Sequence, residues 1–268
     1  MCPMLTDMSV QALVAAINGN LHCFLRYLHV SPVTEYYQHD GLVRWRTPVP
    51  HAWLNGVLCS RLPGHDERPA VDETLAYFRA HNVPAISWWL DSPLEMGDWE
   101  RHLGRRGFRY ERGTPGMAVS LGDLQDGRAV AGLEVVNVQD ASALQVWTHT
   151  MVAGFGLPAA WESGIQPLFE GLGLDPPIRH YVGYVHGQPA AIATLFLAAG
   201  VAGLQYLATA PEFRGRGVAQ ALALTALHEA RTLGYRAGIL QSSDMGYNLY
   251  LRLGFRTLCH VGYFYWAR

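Results

Sequence analysis

Six consecutive residues, Arg214-Gly215-Arg216-Gly217-Val218-Ala219, have the types and spacing to hold an anion. An apolar run from Gly203 to Thr209 leads into them and an apolar-periodic stretch leaves them, which puts them at a strand-to-helix turn. The first four N–H groups of a helix have no partner inside it and point outward at the positive end of the helix dipole. A docked phosphate satisfies them. Gly215 and Gly217 lack Cβ atoms, so the backbone can approach a diphosphate closely and adopt positive φ. Arg214 and Arg216 add charge-assisted contacts. Gly-Arg-Gly turns also occur as plain surface loops, and Arg-Gly runs in RNA-binding tails, but such tails are low in complexity. Here the flanks are apolar and periodic.

The spacing Arg214-x-x-Gly217-x-Ala219, preceded by Ala210-Pro211-Glu212-Phe213, resembles the acyl-CoA pyrophosphate loop of the GCN5-related N-acetyltransferase (GNAT) superfamily. A second stretch, from Gln241 through Ser243, Gly246 and Tyr250 to Gly254-Phe255, resembles that family's strand, helix and terminal Tyr-x-x-x-Gly-Phe segment. The resemblance implies acetyl-CoA as cosubstrate and a small-molecule or peptide amine as acceptor. It implies that the backbone of Leu207, Ala208 and Thr209 meets the acyl carbonyl and the pantetheine arm, and that Arg214 to Ala219, Val218 included, hold the diphosphate. Ser243 and Gly246 are implied as further cofactor contacts.

By the same resemblance Tyr250 is the general acid that returns a proton to the departing thiolate; read alone, it is a tyrosine packing under a sheet. A phenol near pKa 10 stays protonated at neutral pH and lies only about 1.5 units above a thiol near 8.5, a mismatch of about 2 kcal/mol. Neither motif holds a cysteine, so direct attack in a ternary complex is expected rather than a covalent intermediate. A general base is harder to place. The strand from Val201 to Thr209 has no carboxylate, where some relatives keep one, leaving Asp244, Glu162, Glu170, His149 and His180, or a chain of waters. Two other activities stay open: an acyl-CoA sensor without turnover, and transfer of a longer acyl chain.

The elements that must position these residues are legible in the second half. Leu133 to Val138 is rich in β formers, Asp140 can cap a helix running to about Val152, and a second helix follows Pro158. Tyr181 to Val185, Ala190 to Ala198 and Val201 to Thr209 form a meander with turns at His186-Gly187-Gln188 and Ala199-Gly200. A helix from Gly217 stops at Gly234, Arg236 to Gln241 is a strand, Met245 to Leu253 a helix, and His260 to Trp266 a closing strand. This order is similar to that of the GNAT fold.

The first half repeats the later part of the plan. Ala52 to Leu62 reads as a strand, Val71 to Ala80 as a helix, Pro84 to Leu90 as a strand and Asp98 to Arg106 as a helix ending in Gly107-Phe108, which matches Gly254-Phe255. The expected fold is therefore α+β: two tandem GNAT-like domains, 1–128 and 129–268, each a mostly antiparallel mixed sheet flanked by helices. The boundary falls where Gly122 to Ala131 interrupts the apolar pattern. The first copy carries Leu62 to Pro69 in place of the phosphate loop, with Asp66 and Glu67 set to repel a diphosphate, and Leu103 in place of Tyr250. It is expected to be noncatalytic.

Composition narrows the remaining classes. Half of the 268 residues are hydrophobic, ample for a buried core, and a formal charge of -2 offers no footprint for nucleic acid or an anionic membrane. Cys2, Cys23, Cys59 and Cys259 form no CxxC pair, and no histidines fall at His-x-x-x-His spacing, so no metal site is expected. The longest apolar stretch, Pro189 to Leu204, is too short to span a membrane and is broken by Gly200 and Gly203. With no secretory pattern at its start, the chain is expected in the cytoplasm, as a monomer or homodimer.

Overall fold

The computed structural model describes residues 3–39, 41–59, 68–91 and 96–268. Seven α-helices are described: α1 (Val10–Tyr27), α2 (Arg68–Ala80), α3 (Met96–Gly104), α4 (Ala141–Phe155), α5 (Glu162–Leu172), α6 (Val218–Thr232) and α7 (Asp244–Arg252). The strands are β1 (Glu35–His39), β2 (Leu42–Arg46), β3 (Gly56–Cys59), β4 (Ala85–Leu90), β5 (Arg109–Ser120), β6 (Leu133–Asn137), β7 (Ile178–Val185), β8 (Gln188–Ala198), β9 (Val201–Thr209), β10 (Ala237–Gln241) and β11 (Arg256–Ala267). Among the described residues no helix is long and apolar enough to cross a membrane.

All eleven strands join one mixed sheet in the order β1-β2-β3-β4-β11-β5-β10-β9-β8-β7-β6. The two halves are fused by an exchange of strands. β5, within the first 128 residues, pairs antiparallel with β10 (Leu240 opposite Met117), and β11 pairs antiparallel with β4 (Trp266 opposite Ile86). β5 and β11 also pair with each other along most of their length.

Alternation along the strands sends successive side chains to opposite faces. On one face α1, α4 and α5 cover a core that includes Ile17, Phe24, Trp147, Phe169, Phe196 and Ile239. On the other face α6 and α7 cover Leu195, Leu222, Leu227, Tyr250 and Phe255, and α2 and α3 cover Val57, Phe78, Trp88 and Leu103. Leu103, aligned with Tyr250, is thus a fully buried core residue.

Local chemistry sets the helix starts. Ser9 caps α1 by accepting from Ala12 N, and Asp140 caps α4 by accepting from Ala143 N at 2.8 Å. α1 crosses from the first half onto the sheet of the second, where Asn20 Nδ2 donates to the carbonyls of Phe196 (3.0 Å) and Ala198 (3.1 Å). Its Oδ1 lies 2.2 Å from where a Cβ on Gly203 would be, so only glycine admits the helix there.

Most expected elements fall within a few residues of their observed bounds, with two corrections. The strand expected over Ala52 to Leu62 begins as a 3₁₀ turn, Ala52–Leu54, before β3. Asn55 holds that turn, its amide donating to Val49 O and His51 O and accepting from Thr47 N. Local side-chain bonds of this kind compete with a strand ladder. The closing strand is longer than expected, because β11 reaches along both β5 and β4. Leu62 to Glu67, the acidic segment of the first copy, lie outside the described residues.

Candidate active site

β9 and β10 are parallel neighbours, yet their ladder contains only Ala202 opposite Gly238 and Gly203 opposite Ile239. Beyond that row the strands part. Between Gln205 and Ala208 the pairing of β9 with β8 slips by one residue, and Tyr206 sits there with φ of 49°. A left-handed tyrosine inside a strand is a bulge costing about 1–3 kcal/mol, held only when its surroundings over-determine it. Its ring is held by Phe169 (5.3 Å), Phe24 (5.9 Å) and Trp147 (6.2 Å). The bulge re-aims Leu207, Ala208 and Thr209, which keep β8 as neighbour on one side and have no ladder partner on the β10 side.

The start of α6 stands at the end of this opening. Gly217 is its N-cap at φ of 82°, and no side chain caps the first turn. The first turns of α1, α4 and α7, by contrast, each have a side-chain cap. The amides that follow Gly217 are thus left for an outside acceptor. Gly215 also has positive φ, with open space where a Cβ would stand, while Val218 is buried and anchors the helix.

The two arginines differ in role. Arg214 donates from Nε to Thr209 O (3.2 Å) and from Nη2 to Gly154 O (2.8 Å), clamping the loop to the ends of β9 and α4. Arg216 lies with its guanidinium carbon 5.5 Å from the Phe213 ring centre, and forms no ion pair among the described residues. Its charge is available beside the helix start.

α7 approaches from the same side of the sheet as α6. Ser243 Oγ accepts from Gly246 N at 3.3 Å and so serves as the helix cap. A Cβ on Gly246 would lie 2.9 Å from Tyr250 Cε2, so glycine makes room for that ring, which also meets Phe255 edge-on at 5.7 Å. The Tyr250 phenol is buried, has no hydrogen-bond partner among the described residues, and is pushed well above the usual phenol range by burial.

The five candidate bases do not converge on one point. His180 is fully buried between Trp147 (4.6 Å) and Phe169 (5.6 Å), its Nδ1 2.8 Å from Thr194 Oγ1, and burial lowers its pKa to about 3. It is sealed in the core and neutral at pH 7. His149 Nδ1 pairs with Glu162 Oε1 at 3.0 Å on the outer side of α4 and α5, and Glu170 and Asp244 are exposed. Trp147 and Phe169 are core residues, whereas Phe155 is exposed and Trp161 packs against His51. Tyr206 carried no signal in the sequence beyond Gln205 interrupting the apolar run, because tyrosine rarely takes positive φ.

Comparison with known proteins fits this geometry. The model of the acetyltransferase (GNAT) family matches residues 146–255. No curated protein sequence matches the chain. A GCN5-related N-acetyltransferase from Kribbella flavida is similar in structure over 97% of this chain and 95% of its own, with 18% identity and a TM-score of 0.65. A functionally unknown conserved protein from Staphylococcus epidermidis covers 87% of this chain and 94% of its own at 15% identity and TM-score 0.63. A tandem GNAT protein from the clavulanic acid biosynthesis pathway covers 99% and 97% at 14% identity and TM-score 0.59. The fold is thus that of GNAT proteins over nearly the whole chain, and within it residues 146–255 match the model of the acetyltransferase (GNAT) family, a family of acyltransferases.

Proposed function

We propose that the second half, residues 129–268, binds acetyl-CoA in the opening between β9 and β10 and transfers its acetyl group to an amine by direct attack. The observation that carries this reading is the uncapped start of α6, beside a place where two parallel strands part. The amides after Gly217 and the free charge of Arg216 would hold the diphosphate. N–H groups of the re-aimed segment Leu207 to Thr209 would donate to the oxygen that gains charge as the amine attacks.

Tyr250 would then give its proton to the thiolate. Burial raises the phenol, and the same apolar surroundings raise a thiol, so both groups shift in the same direction. Cys259 is pushed up by burial, which favours its protonated form, and Cys59 is buried in β3.

In this reading residues 1–128 are a noncatalytic copy. Two features support that: β3 and β4 stay paired over all four residues of β3, with no opening among those described residues, and Leu103 replaces the phenol. Calorimetry with acetyl-CoA, run beside a thiol-release assay over a panel of amines, tests the proposal. Binding followed by release of CoA with at least one amine is the expected result. Binding with no release on any acceptor would instead make the protein an acyl-CoA sensor, and faster release from longer thioesters would change the acyl group.

A further inference from the structure

The sheet parts at a second place. β4 pairs with β11 from Ala85 to Trp88, and its last two residues, Trp89 and Leu90, have no partner on β11. β11 carries a bulge opposite them, between Val261 and Tyr263. A cleft of about 210 Å³ opens there beneath α1. Since one water claims about 30 Å³ of liquid, this is room for a ring rather than for a single solvent molecule.

The walls of the cleft are fixed aromatic rings. Trp89 stacks on Tyr263 at 4.6 Å, Tyr263 Oη accepts from Trp53 Nε1, and Tyr110 packs on Phe264 at 5.1 Å. One end is polar. His22 Nδ1 lies 2.6 Å from Asp91 Oδ1, and Arg26 Nη2 lies 3.3 Å from the other carboxylate oxygen. The bond from His22, and then the Arg26 charge, hold the Asp91 carboxyl below the usual range. In its neutral form His22 keeps its proton on Nδ1, toward the ionised Asp91, and has a lone pair on Nε2. That nitrogen has no partner among the described residues.

The cleft and the opening between β9 and β10 stand at the same end of the sheet. His260, in the floor of the cleft, pairs with Pro115 of β5, and Pro115 O accepts from Ser242 N, the residue that follows β10. β11, β5 and β10 stand between the cleft and the opening, which puts the middle of one gap three strand spacings, about 14 Å, from the middle of the other.

We propose that this cleft, built largely by the first half, holds the far end of the acceptor: an aromatic amine whose ring carries a hydrogen-bond donor, received by His22 Nε2. The inference rests on the acetyl-transfer reading for its role, while the binding it asserts can be measured separately. Tyramine and phenethylamine, which differ by one hydroxyl, are the probes, titrated calorimetrically into the full-length protein with and without acetyl-CoA. Tyramine should bind about ten-fold more tightly, and the preference should fall to less than two-fold in His22→Ala.

Asp91→Asn, of nearly the same shape, should also reduce the preference, since an amide can donate to Nδ1 and turn Nε2 into a donor, to which the phenol oxygen offers only its weaker, accepting role. It serves as well where the alanine variant does not fold. No binding of either amine, equal affinities in the wild type, or a preference that survives both substitutions overturns the proposal. Tyramine binding with no acetyl-CoA binding would keep the cleft and remove the acetyl-transfer reading.

Discussion

Replacing Tyr250 with Phe separates chemistry from folding in this protein. The phenol oxygen has no hydrogen-bond partner among the described residues, and the ring is positioned by packing on Phe255 and Gly246. Removing the hydroxyl therefore strands no buried donor or acceptor, and the stability change should stay below about 1 kcal/mol. For a chain of this size that is a shift in Tm of no more than about 4 °C. Loss of a positioned proton donor, by contrast, lowers a rate by about 10² to 10⁴. At 1.36 kcal/mol per decade this is about 2.7 to 5.5 kcal/mol of transition-state stabilisation. The assay is CoA release at saturating acetyl-CoA and amine, with thermal unfolding of both proteins. The expected outcome is a fall in kcat of at least 100-fold, an acetyl-CoA affinity within about three-fold, and near-equal Tm. A kcat within two-fold of the wild type would remove Tyr250 from the mechanism.

Three further outcomes follow from single contacts. Arg214→Ala should lower Tm by about 2–4 °C, near 1 kcal/mol, because the guanidinium clamps Thr209 O and Gly154 O; an unchanged Tm would show that the clamp contributes nothing. Gly203→Ala should destabilise by about 1–3 kcal/mol by pressing on Asn20 Oδ1, and Gly203→Ala combined with Asn20→Ala should recover part of that loss. Fully additive costs in denaturant titrations would refute the close approach. Burial raises the phenols of Tyr181, Tyr206 and Tyr250. The unfolded chain, with phenols near 10, therefore loses protons first. Stability is intact below about pH 10 and falls as pH rises beyond it, by up to about 4 kcal/mol per unit for three groups. A Tm that stays level from pH 8 to 11 would contradict this.

The sequence alone determined the helices and strands of the second half and the place of the glycine-rich turn before α6. Those signals are local: a strand running into Gly215 and Gly217, a cap at Asp140, a stop at Gly234 and the alternation of β8 and β9. The tertiary structure decided what depends on distant partners. α1 was not legible as the helix that crosses onto the other half, since its fit depends on the missing Cβ of Gly203, 183 residues away. β5 and β11 were not legible as exchanged strands, because ladder hydrogen bonds leave no mark on the residues that make them. The contact of Arg214 with Gly154 O was not legible either, since only the fold brings that carbonyl within its reach. Tyr206 and the pair His22–Asp91 are likewise products of packing. A left-handed tyrosine needs three aromatic neighbours to hold it, and a histidine 69 residues from its carboxylate meets it only when the end of β4 parts from β11 beneath α1.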